Sequence, residues 1–364
     1  MKILYAILYH SKFKMGGAEK VLLDLACSMK QDHSEEVACV VNSGDLAEEL
    51  KGKGIAVTEI YWPKVQTFQT LLRLHQAIKT FQPDLIHSHH RYATFLLDLF
   101  FKRKSRILHT EHVLRQDKRG FFRCGHLVTA VHESIRENLI RLYRVPPEKV
   151  VTIPNAVRLR KTEAPKLQKI KEKYQLHPNQ VFVLCIGRLE EQKGHRYLIE
   201  AVSRLPKPYL ERLRIFLLGE GSLAGILKSK VREARLENHF IFLGHSAEVP
   251  EFLSFCDFLV LPSLWEGMPL VVLEAYSAGK PVVATDIPGT NEVVKPGETG
   301  LLVPPRSSLL LAKALVQMMD HPEQIKTMGA KAHLWWSEAF SYETMIHRYH
   351  ELYQNLCREL CQPS

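Results

Sequence analysis

The sequence lacks the marks of membrane-spanning, disulfide-stabilised and repetitive proteins. None of its apolar runs, over 364 residues, reaches the roughly 18 residues needed to cross a bilayer. Its seven cysteines are odd in number, form no Cys-x-x-Cys pair and lie partly in apolar, strand-like runs, which favours reduced core thiols. Glycine and proline number 19 each, which excludes collagen-like and low-complexity chains. We expect a soluble cytoplasmic protein, at most peripheral to the inner face of a membrane.

Several nucleotide and metal motifs are absent as well. The chain contains no Gly-x-Gly-x-x-Gly, no Gly-x-x-x-x-Gly-Lys-[Ser/Thr] and no Asp-x-Asp, so two common phosphate-binding loops and a common carboxylate pair for divalent ions are missing. The run His87-Ser88-His89-His90 has no cysteine or carboxylate at a familiar ligand spacing, which argues against zinc. We therefore expect no metal and no other cofactor, and we interpret this run as a polar wall of a cleft.

Size and charge indicate two domains and an anionic ligand. At about 150 residues per domain, the length predicts two domains, and the 46% of hydrophobic residues suffices for full cores. Lysine and arginine exceed aspartate and glutamate by 49 − 39 = 10. This excess favours nucleotides, phosphates, nucleic acid or acidic lipid head groups. Nucleic acid is the weakest of these candidates, since no recognition motif for it appears.

Short apolar runs alternate with amphipathic helical patterns in two blocks, which predicts two α/β domains with doubly wound parallel sheets. The first block predicts strands at Ile3–Tyr9, Val37–Val41, Ala56–Tyr61, Asp84–His87, Ile107–Thr110, Leu127–Ala130 and Val150–Ile153. The second predicts strands at Val181–Gly187, Arg214–Gly219, Phe240–Leu243, Phe258–Pro262, Pro281–Ala284 and Leu301–Val303. We predict domains over 1–157 and 180–341, a linker over 158–179, and a final helix within 342–364 that returns to the first domain. Two such domains side by side make a cleft, and their ligands bind outside the carboxyl ends of the strands.

Two loops that follow predicted strands combine glycine with positive charge or a helix start. Gly16-Gly17 opens the first helix, whose amino terminus favours anions; a tight turn without function is the alternative. After the first strand of the second block, Gly187 precedes a loop flanked by Arg188 and Lys193. Both cations can point at the same diphosphate, although an ordinary solvated loop would have the same composition.

The segment Pro262–Ala275 is the most informative. A buried strand ends at its start, the loop holds Glu266 and Gly267, and Pro269 suits the first turn of a helix that contains Glu274. Carboxylates accept hydrogen bonds from sugar hydroxyls, so both glutamates can face a sugar. A helix cap for Glu266 and a salt bridge for Glu274 are the alternatives.

These segments resemble, in order and over nearly the whole chain, the retaining glycosyltransferases of family 4, which have the GT-B fold. The resemblance rests on Gly16-Gly17-Ala18-Glu19, Ile153-Pro154-Asn155, Gly187-Arg188-Leu189 with Lys193-Gly194, Gly219-Glu220-Gly221, Leu243-Gly244, and Glu266-Gly267 with Glu274-Ala275. It implies that Arg188 and Lys193 hold the donor diphosphate, that Glu266 contacts the donor sugar, and that His112 faces that sugar near the reacting carbon. The donor-binding residues that it implies are Gly16, Gly17, Gly187, Gly219, Gly221, Gly244, Val249, Gly267, Met268, Pro269, Leu270 and Glu274, with Glu274 on the ribose.

The resemblance implies transfer of a sugar from a nucleotide-sugar donor, with retention of anomeric configuration. UDP is favoured as the nucleotide, and the acceptor is expected to be lipid-linked or a polysaccharide or lipopolysaccharide. Because Asp-x-Asp is missing, Arg188, Lys193 and helix amino termini would have to stabilise the leaving diphosphate. No side chain stands out as a covalent nucleophile. The departing phosphate oxygen is our hypothesis for the base.

A group of basic residues interleaved with aromatics follows the middle of the first domain. Its members are Phe100, Phe101, Lys102, Arg103, Lys104, Arg106, Arg115, Lys118, Arg119, Phe121, Phe122 and Arg123. This composition suits an anionic membrane surface that carries the acceptor, and a merely solvated face is the alternative.

Two other functions remain open. A nucleotide-sugar 2-epimerase shares the two-domain architecture, but the Gly-Gly-Ala-Glu and paired-glutamate segments argue against it. A noncatalytic partner subunit that binds nucleotide-sugar is the second, and the complete set of implied phosphate and sugar contacts argues against it.

Overall fold

The computed structural model describes residues 1–8, 16–60, 67–102, 105–114, 122–159, 162–177, 179–246 and 248–358. Contacts between Cα atoms divide the chain into two compact units. Unit 1 comprises Met1–Asn155 and the segment from Tyr342 onward, and unit 2 comprises Ala156–Ser341. Within the described ranges, every helix is too short or too polar to traverse a bilayer.

Unit 1 is built on a parallel sheet. Its strands are β1 (Lys2–Ile7), β2 (Glu36–Asn42), β3 (Ala56–Ile60), β4 (Leu85–Ser88), β5 (Arg106–Glu111), β6 (Leu127–Ala130) and β7 (Val150–Thr152). Its helices are α1 (Gly17–Gln31), α2 (Asp45–Gly52), α3 (Thr67–Phe81), α4 (Arg91–Phe101) and α5 (Glu133–Arg141). The seven strands found in the described residues run in the order β3-β2-β1-β4-β5-β6-β7.

The apolar strands of unit 1 are buried because helices cover both faces of the sheet. Residues 3–7 of β1 are all buried, and β1 pairs in parallel with β2 on one side and β4 on the other. Helices α3 and α4 place Leu74, Ile78, Leu96 and Leu97 in one core with Leu4. Burial on both faces explains why these strands are continuous apolar runs.

Unit 2 repeats this architecture. Its strands are β8 (Val181–Ile186), β9 (Leu213–Leu218), β10 (Phe240–Gly244), β11 (Phe258–Leu261), β12 (Val282–Thr285) and β13 (Gly300–Val303). Its helices are α6 (Ala164–Lys173), α7 (His195–Val202), α8 (Lys207–Arg212), α9 (Ala224–Glu233), α10 (Val249–Phe255), α11 (Leu270–Ser277), α12 (Ser308–Asp320) and α13 (Pro322–Ala339). The six strands within the described ranges run in the order β10-β9-β8-β11-β12-β13 and pair in parallel.

The predicted linker over 158–179 differs from the structure. Its described residues belong to unit 2, where α6 packs against α10. Ile170 of α6 is buried, and the ring of Tyr174 lies 5.4 Å from that of Phe216 and 6.2 Å from that of Phe252. Two apolar side chains one helical turn apart therefore anchor a segment whose lysine-rich composition suggested a connector.

The last described helix, α14 (Tyr342–Arg358), is part of unit 1. The Tyr342 hydroxyl donates to the carbonyl of Asp24 at 2.9 Å, and it lies 2.8 Å from the hydroxyl of Ser28. Both partners are on α1. The apolar stripe of α14 is thus fixed to the first helix of the chain by polar contacts as well as by burial.

Two further tyrosines of α14 reach the sheet of unit 1. The Tyr353 hydroxyl lies 2.7 Å from Nδ1 of His87 and 3.2 Å from the hydroxyl of Tyr5. The Tyr349 hydroxyl lies 3.3 Å from the hydroxyls of both Thr110 and Thr129. These groups are all buried, so each finds in α14 a partner that water cannot supply.

Replacing Tyr353 by phenylalanine should destabilise unit 1 by about 1–3 kcal/mol, because Nδ1 of buried His87 loses its partner. Tyr197→Phe is the control, since the Tyr197 hydroxyl bonds only to the exposed side chain of Arg196 among the described residues. Urea denaturation of the two variants measures the difference. Equal free energies of unfolding would contradict this account of α14.

Candidate active site

Loops at the carboxyl ends of β8, β9 and β10 lie against each other through glycines. The amide of Gly187 donates to the carbonyl of Leu218 at 2.9 Å, and the amide of Gly219 donates to that of Gly244 at 2.8 Å. A Cβ on Gly219 would lie 2.0 Å from the carbonyl oxygen of Gly187, and one on Gly221 would lie 2.4 Å from that of Leu189. The resemblance assigns these glycines to donor binding. Their close backbone approach is a structural requirement that holds without a ligand.

The loop after β8 presents Arg188 to solvent. Its guanidinium donates to the side-chain oxygen of Gln192 at 3.2 Å, and its carbonyl lies 3.1 Å from Nε2 of His195. His195 is buried, and burial lowers its pKa to about 4, so this ring is neutral near pH 7. The buried, neutral ring of His195 therefore holds the backbone of Arg188 in place, while the guanidinium of Arg188 stays exposed.

Gly194 joins this loop to the loop after β11. Its φ is +62°, and a Cβ here would lie 2.0 Å from the carbonyl oxygen of Pro262. Next to it, the amide of Leu264 donates to the carbonyl of Gln192 at 2.7 Å, and the Gln192 side chain donates to the carbonyl of Trp265 at 2.9 Å. Only glycine satisfies both the left-handed backbone and the close approach.

Lys193 and Glu266 form an ion pair where these loops meet. Nζ of Lys193 lies 2.5 Å from Oε1 of Glu266, and the two side chains are 15% and 7% exposed. The Ser263 hydroxyl donates to the same carboxylate oxygen at 2.7 Å. A Cβ on Gly187 would lie 3.2 Å from the stem of Lys193, so that glycine leaves room for the lysine. The residue types were predicted, but their pairing was not.

The residues that follow Glu266 lead into α11. Met268, Pro269 and Leu270 are buried, whereas Gly267 is half-buried. Pro269 precedes α11 as its N-cap rather than lying in its first turn, and its carbonyl accepts the amide of Val272 at 3.1 Å. The burial of Met268, Pro269 and Leu270 leaves the backbone of this stretch as the candidate for ligand contact.

Glu274 and Val249 line a cavity of about 280 Å³ in unit 2. The remaining lining residues come from α10, from the end of α11 and from the segment before α6; they are Arg158, Leu159, Thr162, Pro250, Leu253, Ser254, Ser277, Ala278 and Lys280. The sequence prediction includes Glu274 and Val249 but not the cations Arg158 and Lys280. The only signal for them was their place beside segments that the resemblance already marked.

The other predicted residues lie at the carboxyl edge of the sheet of unit 1. The amide of Gly16 donates to the carboxylate of Glu19 at 3.1 Å, and α1 starts at Gly17. This helix start therefore already holds a carboxylate of its own. The part of the motif before Gly16 lies outside the described residues.

His112 directly follows β5. Its Nε2 lies 3.0 Å from Nδ1 of His89, which follows β4. Burial lowers the pKa of His112 to about 4, so the ring is neutral near pH 7. Beside it, Glu111 is buried and pairs with Arg91; although burial opposes ionisation, His109 and Arg91 lower the pKa of this carboxyl to about 2.

The predicted basic and aromatic group is only partly described. Arg103, Lys104, Arg115, Lys118, Arg119 and Phe121 lie outside the described residues. Phe101 is buried in the core of unit 1, and the ring of Phe122 lies 4.8 Å from the guanidinium carbon of Arg91. The prediction of surface exposure is wrong for Phe101, because adjacent helical residues face different sides. Phe100 is half exposed, as is Leu99 beside it.

Across the described ranges, no cluster of three or more histidine, cysteine, aspartate and glutamate side chains is arranged to hold a metal ion. His87 illustrates why the histidine-rich run is not such a cluster. Its Nε2 lies 2.6 Å from the hydroxyl of Thr110, and its Nδ1 is taken by Tyr353. The ring is part of a buried hydrogen-bond network.

Two doubly wound parallel sheets with polar loops after their strands define the GT-B class of α/β proteins. The HepE protein of Anabaena, solved in complex with UDP-glucose, superposes with a TM-score of 0.85 over 98% of this chain and 100% of that one, at 23% identity. This likeness confirms the predicted fold class.

Family models match both halves of the chain. Residues 15–161 match Glycosyltransferase Family 4, and residues 167–335 match Glycosyl transferases group 1. The UDP-Gal:alpha-D-GlcNAc-diphosphoundecaprenol alpha-1,3-galactosyltransferase of Escherichia coli is 30% identical over 278 residues, 70% of this chain and 71% of that protein. The alpha-D-kanosaminyltransferase of Streptomyces kanamyceticus is 26% identical over 229 residues, 61% of this chain and 58% of that protein. The chain therefore belongs to the family 4, group 1 glycosyltransferases.

Gly194→Ala should destabilise unit 2 by about 1–3 kcal/mol through backbone strain alone, because a residue with a Cβ is strained in the left-handed region. Collision of this Cβ with the carbonyl oxygen of Pro262 would add to that loss. Gly225→Ala is the matched control: nothing lies within 4 Å of a Cβ there, and Gly225 lies in the first turn of α9, where alanine is a good helix former. Thermal unfolding of both variants provides the measurement. If both melted like the parent protein, the proposed role of Gly194 would be excluded.

Proposed function

We propose that this glycosyltransferase moves a hexosyl or N-acetylhexosaminyl group from a nucleotide-sugar, UDP being the preferred nucleotide, with retention and without a metal. The acceptor that we propose is lipid-linked or a polysaccharide or lipopolysaccharide. One observation carries the donor part: an exposed arginine and a buried lysine–glutamate pair stand on two loops that hydrogen bonds and Gly194 hold together. Fixed groups of this kind suit a diphosphate next to a sugar.

Arg188 is the cation that we assign to the diphosphate. Its side chain is exposed, and Gln192 holds it through a neutral oxygen, so its charge is available to an incoming anion. A guanidinium can bind a phosphate through two parallel hydrogen bonds. Arg188 would stabilise the diphosphate of the bound donor, and it would stabilise the additional negative charge that develops as the diphosphate leaves more strongly.

Lys193 and Glu266 support the sugar end of this proposal. Their ion pair is largely removed from water, which fixes the direction of the carboxylate. The remaining hydrogen-bonding capacity of Glu266 would accept sugar hydroxyls, and the ammonium would keep two more N–H donors for phosphate oxygens. His112, on unit 1, would contact the sugar as the resemblance implies.

The cavity beside Glu274 supports the nucleoside end. A carboxylate accepts hydrogen bonds from the two hydroxyls of a ribose, and Val249 with Leu253 offers apolar contact for a base. The UDP and UDP-glucose complexes of HepE agree with a uridine nucleotide. We propose UDP on these grounds.

The bond between the anomeric carbon and the diphosphate oxygen breaks in the proposed reaction. The acceptor hydroxyl attacks the same face of the sugar, and its proton goes to the departing phosphate oxygen. Negative charge on that oxygen is stabilised by Arg188 and Lys193, which fill the role that a divalent ion held by Asp-x-Asp fills in other transferases. The absence of that motif from the sequence supports a reaction without metal.

The acceptor proposal rests on the E. coli relative, whose name specifies a sugar linked to diphosphoundecaprenol. Membrane contact would bring this chain to such an acceptor. Burial, and then the positive charges of Arg106 and Lys102, lower the pKa of His126 to about 4. Both cations therefore lie close to this ring at the amino end of β5. Leu99 and Phe100 are exposed near them. We call Leu99, Phe100, Lys102 and Arg106 the α4 patch.

A panel of nucleotide-sugars tests the donor. We expect one UDP-sugar to raise the melting temperature, because a ligand that binds the folded state stabilises it by mass action. The same sugar should be transferred to a diphosphate-linked lipid acceptor at equal rates with and without EDTA. Loss of transfer in EDTA and rescue by magnesium would refute the metal-free reaction. Epimerisation without an acceptor would show a 2-epimerase, and binding without either reaction would show a noncatalytic subunit.

Arg188→Ala should lower turnover by at least about 100-fold, as the loss of one preorganised charge typically does. Arg196→Ala is the control, because Arg196 is an exposed arginine on the neighbouring helix that donates to the hydroxyl of Tyr197. Initial rates at saturating donor separate the two variants. Unchanged turnover in Arg188→Ala would remove Arg188 from the reaction.

At low salt the protein should sediment with anionic vesicles and not with neutral ones, since basic residues beside apolar ones bind acidic lipid surfaces. Lys102→Glu combined with Arg106→Glu should weaken this binding. Lys207→Glu, a change at an exposed lysine of unit 2, should not. Equal binding to both kinds of vesicle would contradict the electrostatic proposal for the α4 patch.

A further inference from the structure

Two histidines from neighbouring strands share one hydrogen bond at the carboxyl edge of the sheet of unit 1. β4 and β5 pair in parallel, with Ser88 opposite His109. This register brings His89 and His112 together just beyond the strands. Nδ1 of His89 lies 3.0 Å from Nε2 of His112, and the rings stack with centroids 5.2 Å apart and planes 21° from parallel.

The pair holds a single hydrogen between its two nitrogens. Burial lowers the pKa of His89 well below its ordinary value and that of His112 to about 4, so both rings are neutral near pH 7. A neutral imidazole has one N–H and one lone pair. Either His89 donates from Nδ1, or His112 donates from Nε2, and each choice determines where both rings carry their hydrogens.

The surroundings of His89 decide between the two choices. Its side chain is 3% exposed, and within the described part of the chain its Nε2 has no hydrogen-bond partner. The ring of His87 packs against it at 4.1 Å, but Tyr353 and Thr110 occupy both nitrogens of His87. A hydrogen on Nε2 of His89 would therefore be a buried donor without an acceptor. Orphaned buried N–H groups are rarer in proteins than acceptors with a spare lone pair.

We propose that His89 is a positioning residue that donates from Nδ1 to Nε2 of His112 and so holds His112 as its Nδ1–H tautomer. The half-buried His112 has no partner for its Nδ1 in the described ranges. That nitrogen thus offers an N–H donor to a ligand oxygen, such as a hydroxyl of the donor sugar.

This assignment limits what His112 can do. A nitrogen that already carries hydrogen cannot take a proton from the acceptor hydroxyl, so His112 orients and polarises the donor instead of acting as the base. This consequence rests on the proposed function, whereas the tautomer itself does not.

Nitrogen NMR of protein labelled with ¹⁵N-histidine tests the tautomer directly in the ligand-free chain. A His112→Gln spectrum assigns the His112 signals by their loss. We expect hydrogen on Nδ1 of His112 in the parent protein and, in His89→Leu, a shift to the Nε2–H form that an unconstrained side chain prefers. Hydrogen on Nε2 of His112 in the parent protein would overturn the proposal, whatever the fate of the variants.

Kinetics test the positioning role. His89→Leu should lower kcat at least about tenfold, because a functional histidine loses the partner that holds it in the correct tautomer, while the Kd of UDP stays unchanged. His89→Asn should recover most of kcat, because its amide places an N–H close to the position of Nδ1. His347→Leu is the control, since His347 is exposed on α14 and pairs with Glu351.

The outcomes are separable. Parental kcat in His89→Leu, or equal loss in a folded His89→Asn, would overturn the positioning role. If no donor sugar is transferred at all while His112 carries its hydrogen on Nδ1, the proposed function fails and the tautomer assignment stands.

Discussion

The approach of Gly194 to the carbonyl of Pro262 is the constraint on which the candidate site of unit 2 depends. It lets the loop after β8 lie directly on the loop after β11, and the amide of Leu264 and the side chain of Gln192 then join the two loops. Lys193 reaches Glu266 only because the loops are this close. A side chain at position 194 would collide with the carbonyl oxygen of Pro262, so a larger residue would push the two loops apart and weaken this ion pair.

The two cations of this site are held in different ways. Lys193 is paired, largely buried and fixed beside Ser263 and Glu266, whereas Arg188 is exposed and meets a neutral amide. A buried ion pair has a fixed geometry, but both of its charges must be removed from water. An exposed arginine keeps its charge available to a ligand. The site thus combines a rigid part that sets direction with an open part that supplies net positive charge.

Much of this could be predicted from the sequence, because strands buried on both faces are continuous apolar runs and ligand loops follow them. Glu266 and Lys193 were each found within their own loop. Their pairing was not, since 73 residues separate them and composition holds no information about register between distant loops. The same limit applies to the cavity cations Arg158 and Lys280. The linker prediction was wrong for another reason. Ile170 of α6 and Tyr174 directly after it stand among many lysines, yet their burial and ring contacts attach the helix to unit 2.

Unit 1 is discontinuous along the chain, and this has a consequence for its synthesis. The chain is synthesised at about 5–20 residues per second, and domains fold as units during this synthesis, the amino-terminal one first. Tyr349 and Tyr353 complete the buried network around His87 and Thr110, but they leave the ribosome only after all of unit 2. The amino-terminal half therefore emerges without α14, and the buried His87 and Thr110 lack these tyrosine partners until synthesis of the chain is nearly complete.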